Sequence, residues 1–118
     1  MSDVPLLPYS IVAPPIVVQN QGEVILFDSI EDAQLWMEAI DVRNNEYEIF
    51  DSTGLRLGPN VVSGRIETVQ ISIHEPRSRD VDRLRGLLFD FVVRAGKTSR
   101  ERASKMRVDD LLALIQKR

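Results

Sequence analysis

Between residues 23 and 57 the hydrophobic period switches from strand to helix and back, and this constrains the fold more than any other feature. Val24-Ile25-Leu26-Phe27 is a continuous apolar run of strand type, suited to burial on both faces. Ser29 follows, with Glu31 and Asp32 just behind it. A serine in that place accepts from first-turn amides, and acids there favour the positive end of the helix dipole. Ile30, Ala33, Trp36, Met37 and Ile40 fall on one stripe at helical spacing, which predicts one amphipathic helix over 30–40 with that stripe in the core. Glu31, Gln34 and Glu38 lie on the other side, with Leu35 among them. After a turn over 41–45, Tyr47 and Ile49 alternate with Glu46 and Glu48, so a strand over 47–50 should bury one face and expose carboxylates on the other. Asp51-Ser52-Thr53-Gly54 suits a hairpin loop with Gly54 at positive φ, and Leu55 and Leu57 resume the alternation.

The flanking segments complete a sheet and cover it. Residues 1–15 carry Pro5, Pro8, Pro14 and Pro15, and so predict an extended arm. Residues 16–18, with the turn Asn20-Gln21-Gly22, should form a hairpin with 24–27. Gly58-Pro59-Asn60 interrupts the next strand pattern, and Val69, Ile71 and Ile73 restore it, leaving His74 on the polar side. Beyond Pro76, Ser78 or Asp80 can cap a long helix whose stripe is Val81, Leu84, Leu88, Phe91, Val92 and Ala95, with Gly96 placed to end it. Phe89 and Val93 should receive the C-terminal segment, which has a capping signal at Ser99 and a last amphipathic helix through Val108, Leu111, Leu112 and Ile115. The expected fold is a single α+β domain over 1–118: an arm (1–15), a β-β-α-β-β-β region (16–75) and a helical region (78–118). Its sheet is mainly antiparallel, with about four to five strands, one helix inserted after the first hairpin and a C-terminal helical layer packed on it.

Composition narrows the function classes. The 118 residues include no cysteine, so no disulfide framework or thiolate metal site is available. No apolar run approaches the roughly 18 residues of a membrane span, and no basic n-region precedes an apolar stretch, so a cytoplasmic protein is expected. Phosphate-cradling, dinucleotide, nucleophile-elbow and zinc-helix motifs are missing. The acid pairs already have roles as cap neighbours or strand-alternating residues. The expectation is therefore a protein without catalytic, metal or cofactor residues. Charge is unevenly placed: residues 1–76 hold 12 acids and 3 bases, and residues 77–118 hold 12 bases and 6 acids. Such a division can set up opposed surface potentials that steer a partner.

The segments E-V-I-L-F-D-S-I-E-D-A (23–33), I-D-V-R-N-N-E-Y-E-I-F-D-S-T-G-L-R-L (40–57), L-L-F-D-F-V-V-R-A-G (87–96) and the closing D-D-L-L-A-L-I give the chain a resemblance to small bacterial α+β proteins, some of them immunity proteins of polymorphic toxin systems. The resemblance implies a binder that blocks a cognate toxin or effector by occlusion. An acidic surface suits a basic enzyme cleft and speeds association. On that reading the partner-binding residues are Glu31, Glu38, Asp41, Glu46, Glu48 and Asp51 as charge partners, with Leu35 as their apolar centre. Two alternatives place the working surface in the basic C-terminal helices: a structural or adaptor module, and a nucleic-acid binder. The second is disfavoured, because the basic stretch 94–107 lacks interleaved aromatics and the chain's pI is about 5.1.

Overall fold

The protein's structure, a computed structural model, describes residues 11–116. Most of the predicted arm, together with Lys117 and Arg118, lies outside the described residues. The strands are β1 (Ile16–Asn20), β2 (Glu23–Phe27), β3 (Tyr47–Phe50), β4 (Arg56–Val62) and β5 (Thr68–Ile73). They form one wholly antiparallel sheet in the order β2-β1-β3-β4-β5. Helices α1 (Ile30–Trp36) and α2 (Ala39–Arg43) cover one face, and α3 (Val81–Arg94), α4 (Arg100–Ala103) and α5 (Val108–Gln116) cover the other. The expected α+β class, antiparallel sheet and C-terminal helical layer are all present.

With both faces covered, alternate residues of one strand enter different cores. Ile16, Val18 and Ile49 pack with Ile30, Ala33 and Val42 under α1 and α2. Val17, Val24 and Phe50 pack with Leu84, Leu88, Val92, Leu111 and Leu112 under the C-terminal helices. This explains the unbroken apolar runs of β1 and β2, which have no wet face to fill with polar residues. It also makes α5 part of the core: at roughly 25 cal/mol per Å² of apolar surface removed from water, two fully buried leucines contribute several kcal/mol.

The turns follow local chemistry. Gln21 (φ 52°) and Gly22 (φ 87°) form a two-residue loop in the left-handed region, the type I′ geometry that matches hairpin twist. Gly54 adopts φ 87°, and a Cβ there would stand 3.0 Å from the Val81 backbone, so the position needs glycine on two counts. Ser29, Asp80 and Ser99 each accept from the third following amide, capping α1, α3 and α4.

Five expectations need correction. The predicted helix over 30–40 is two short helices, because Met37 leaves helical geometry (φ −75°, ψ 145°). The Tyr47 hydroxyl accepts from the Glu38 amide and donates to the Asp41 carboxylate, which fixes the chain at the break. Val42 takes the core position expected of Ile40, which is 61% exposed, and Trp36 is 41% exposed. β4 runs through Gly58-Pro59-Asn60 without interruption. The amides of Gly58 and Asn60 serve β5, whereas Pro59 faces β3, whose pairing with β4 joins only Ile49 to Leu57 and Phe50 to Arg56, so no ladder bond is lost. The α3 stripe turns about its axis: Leu87 is buried, while Val81 and Ala95 are exposed. The outer face of β3, expected to be wet, is covered by α3.

The sheet also curls. Helix α1 touches β1, β2 and the opposite edge strand β5. The Ile71 amide, which points away from β4, donates to Gln34 Oε1 at 2.7 Å. One helix therefore stands between the two edges of the sheet.

Candidate functional site

The seven residues expected to bind a partner separate into two groups. Glu48 and Asp51 serve the fold. On β3, Glu48 shares its face with buried Phe50, beneath α3, where Arg83 grips it with two bonds (Nε to Oε2 3.0 Å, Nη2 to Oε1 2.8 Å). Arg56 adds an ion pair to Glu48 at 3.5 Å and another to Asp80 at 3.4 Å, and its guanidinium lies 5.0 Å from the Phe50 ring centre. The Arg83 bonds are the main reason that the Glu48 carboxyl is held below its ordinary pKa; nearby charges of Arg83 and Arg56 add to this against partial burial.

Asp51 is completely buried. Its Oδ1 accepts from the Thr53 amide (2.8 Å), the Thr53 hydroxyl (2.7 Å) and the Leu55 amide (3.0 Å), and its Oδ2 accepts from the Ala13 amide (3.0 Å). The Ser52 amide returns a bond to the Ala13 carbonyl, so the turn and the segment before β1 are tied together. These bonds account for a buried carboxylate that has no ion-pair partner among the described residues. They also remove Asp51 from any surface.

Asp41 and Glu46 are half-buried and take part in local bonds. Asp41 accepts from the Tyr47 hydroxyl at 3.1 Å and Glu46 accepts from Gln21 Nε2 at 2.9 Å. Burial is the first cause of a raised Tyr47 pKa, so the phenol stays protonated and remains a donor to Asp41.

Glu31, Leu35 and Glu38 are the outward-facing group. At about 100° per residue, Ile30, Ala33 and Met37 point α1 into the core, and Leu35 then points almost directly away from it. Leu35 is accordingly 86% exposed. Glu31 and Asp32 flank it and Glu38 follows at the helix break; among the described residues none of these three carboxylates has a hydrogen-bond or ion-pair partner. Ile40 extends the apolar ridge onto α2. Helical periodicity placed Leu35 correctly. It missed Ile40, whose exposure depends on the break at Met37.

Leu35 separates two grooves. One, about 480 Å³, lies between α1 and β5 and is lined by Glu31, Gln34, Met37, Glu67 and Val69. Glu67 is paired there with Arg43. The other, about 910 Å³, runs along β2 on the Trp36 side of the helix.

The basic C-terminal stretch is tied into the fold. Arg85 donates to the carbonyls of Ala103, Ser104 and Met106, which closes the end of α4. Arg94 donates to the Gly22 carbonyl, and Arg100 lies 5.3 Å from the Phe89 ring centre. His74 is exposed, with Nδ1 3.4 Å from the Pro76 carbonyl. Among the described residues no three His, Asp or Glu side chains gather as metal ligands would, and no helix is long and apolar enough to cross a membrane. No protein-family model, curated protein or solved structure matches the chain.

Proposed function

We propose that this protein is a cytoplasmic inhibitor of the immunity type, which binds a cognate toxin or effector and blocks it by occlusion, without chemistry of its own. Its working surface is the α1–α2 ridge, with Leu35 and Ile40 as apolar anchors and Glu31, Asp32 and Glu38 as the charged rim. The carrying observation is Leu35: a leucine 86% exposed among carboxylates that bond to nothing else among the described residues. Apolar centres with polar rims are how protein interfaces concentrate their binding energy, and an unpaired acidic rim favours a basic partner surface. The resemblance to immunity proteins supports the same reading. An adaptor working through the basic C-terminal helices is less well supported, because Arg85, Arg94 and Arg100 are already engaged within the fold.

Co-expression with a toxin candidate encoded beside this gene tests the proposal. Protection of the cells and co-purification of the two chains are expected. Unprotected cells and separate chains would overturn it. The Glu31→Lys/Glu38→Lys double variant should slow association at low salt, with less difference at high salt.

A further inference from the structure

The two edges of the sheet are treated differently. At β5, α1 places Gln34 against the outward Ile71 amide. Among the described residues β2 has no such cover. The two-residue loop makes Asn20 and Glu23 a reciprocally bonded pair, so Glu23, Ile25 and Phe27 turn their amides and carbonyls toward β1. Val24 and Leu26 must then turn theirs outward. Among the described residues nothing bonds to these groups. Edge strands are usually blunted by lysine, proline or a bulge, and β2 has none of them.

The open edge is the floor of the 910 Å³ groove. Leu35 and Trp36 stand on one side of it and Phe91 and Ile115 on the other, so apolar walls rise from both faces of the sheet. The groove is also polar along its length. Lys97 lines it near the hairpin end and Arg94, bonded to Gly22, stands beside it there, with Glu23 and the Gln21-bonded Glu46 as acids nearby; Asp28 and Asp32 line the other end.

We infer that β2 accepts one extended segment of the partner protein as an added antiparallel strand, running from a basic residue at the Asp28 end to an acidic residue at the Arg94 end. This rests on the reading of α1 as the partner-facing element and gives the partner's contribution there a definite form. Main-chain bonds to Val24 and Leu26 supply the register, and wall contacts supply selectivity. Segment residues opposite Val24 and Leu26 point toward Phe91 and Ile115, and the residue opposite Ile25 points toward Trp36. A second copy of this chain fits less well, since it would bring its own α1 and α5 walls into the same space.

Trp36 is the sole tryptophan and lines the groove, so its fluorescence reports occupancy directly. The probe is the end-blocked peptide Lys-Thr-Val-Val-Val-Thr-Glu, in register with Asp28 at its lysine and Gly22 at its glutamate. We expect a saturable change in Trp36 emission and shifts of the Val24 and Leu26 amide resonances. N-methylation of the first and third valines, whose amides would donate to β2, should weaken binding at least tenfold, and methylation of the middle valine should not. The reversed sequence should bind more weakly. No response at millimolar peptide, indifference to methylation, or self-association of the chain through β2 in sedimentation would each overturn the inference. Leu26→Pro should abolish peptide binding; if that variant does not fold, the methylated peptides decide alone. With the toxin, loss of protection in Leu35→Arg but full retention in a folded Leu26→Pro would reject strand addition and leave the inhibitor proposal standing.

Discussion

The β3–β4 turn and the α1–α2 ridge are both rich in acids, yet they use them in opposite ways. At the turn, Asp51 and Glu48 are surrounded by donors: three amides and a hydroxyl for the first, two guanidinium groups for the second. On the ridge, Glu31, Asp32 and Glu38 face solvent beside Leu35. A count of carboxylates therefore does not locate a binding surface. What distinguishes the two regions is whether the carboxylate's bonding capacity is already filled, which depends on the packing of α3 and the segment before β1.

The sharpest way to break this comparison is to disturb what holds the turn side together. Removal of residues 98–118 takes Leu111 and Leu112 out of the core beneath β1 and β3, and the expected outcome is loss of cooperative unfolding in circular dichroism. A sheet that still melted cooperatively would return the C-terminal helices to the status of a detachable module. Asp51→Ala should be next in size. It strands the buried Leu55 amide and releases Ala13 and Thr53, and a loss of about 3 kcal/mol is expected in denaturant unfolding.

Glu48→Gln should cost about 1 kcal/mol near neutral pH, since Arg83 is half exposed and its pair with Glu48 is partly screened. Its pH dependence has a definite sign. The folded-state pKa of Glu48 lies below its ordinary value of 4.5. Its contribution is thus complete above about 4.5 and is lost as pH falls through the lower folded value. The difference between wild type and Glu48→Gln should shrink on acidification through that range; a constant difference would show that the charge of Glu48 contributes nothing. Smaller still, Gln34→Ala should leave global stability within about 1 kcal/mol while accelerating exchange of the Ile71 amide. Unchanged exchange would remove the contrast between the two sheet edges.

Much of the fold was legible because it is encoded locally. The caps at Ser29, Asp80 and Ser99, the loop at Gln21-Gly22 and the glycine at 54 depend on neighbours a few residues away. So does the outward direction of Leu35 and Glu31, which one turn of helix determines. What the sequence concealed depends on distant partners. The break at Met37 is held by Tyr47, and the inward role of Glu48 needs Arg83 from a helix 35 residues away. Asp51 reads as a turn residue, but its burial depends on Ala13 and on the cover of the sheet. Pro59 reads as a strand breaker, but its missing amide is harmless because the β3–β4 pairing stops at the Ile49–Leu57 pair.

The ridge itself is most directly tested by Leu35→Arg in cells carrying the toxin candidate, with unfolding of the purified variant measured in parallel. A solvent-facing leucine supports no core contact, so stability should stay within about 0.5 kcal/mol of wild type. Protection should be lost, because the apolar centre becomes a cation facing a basic partner. Full protection by an equally stable variant would contradict the account and move the working surface away from α1.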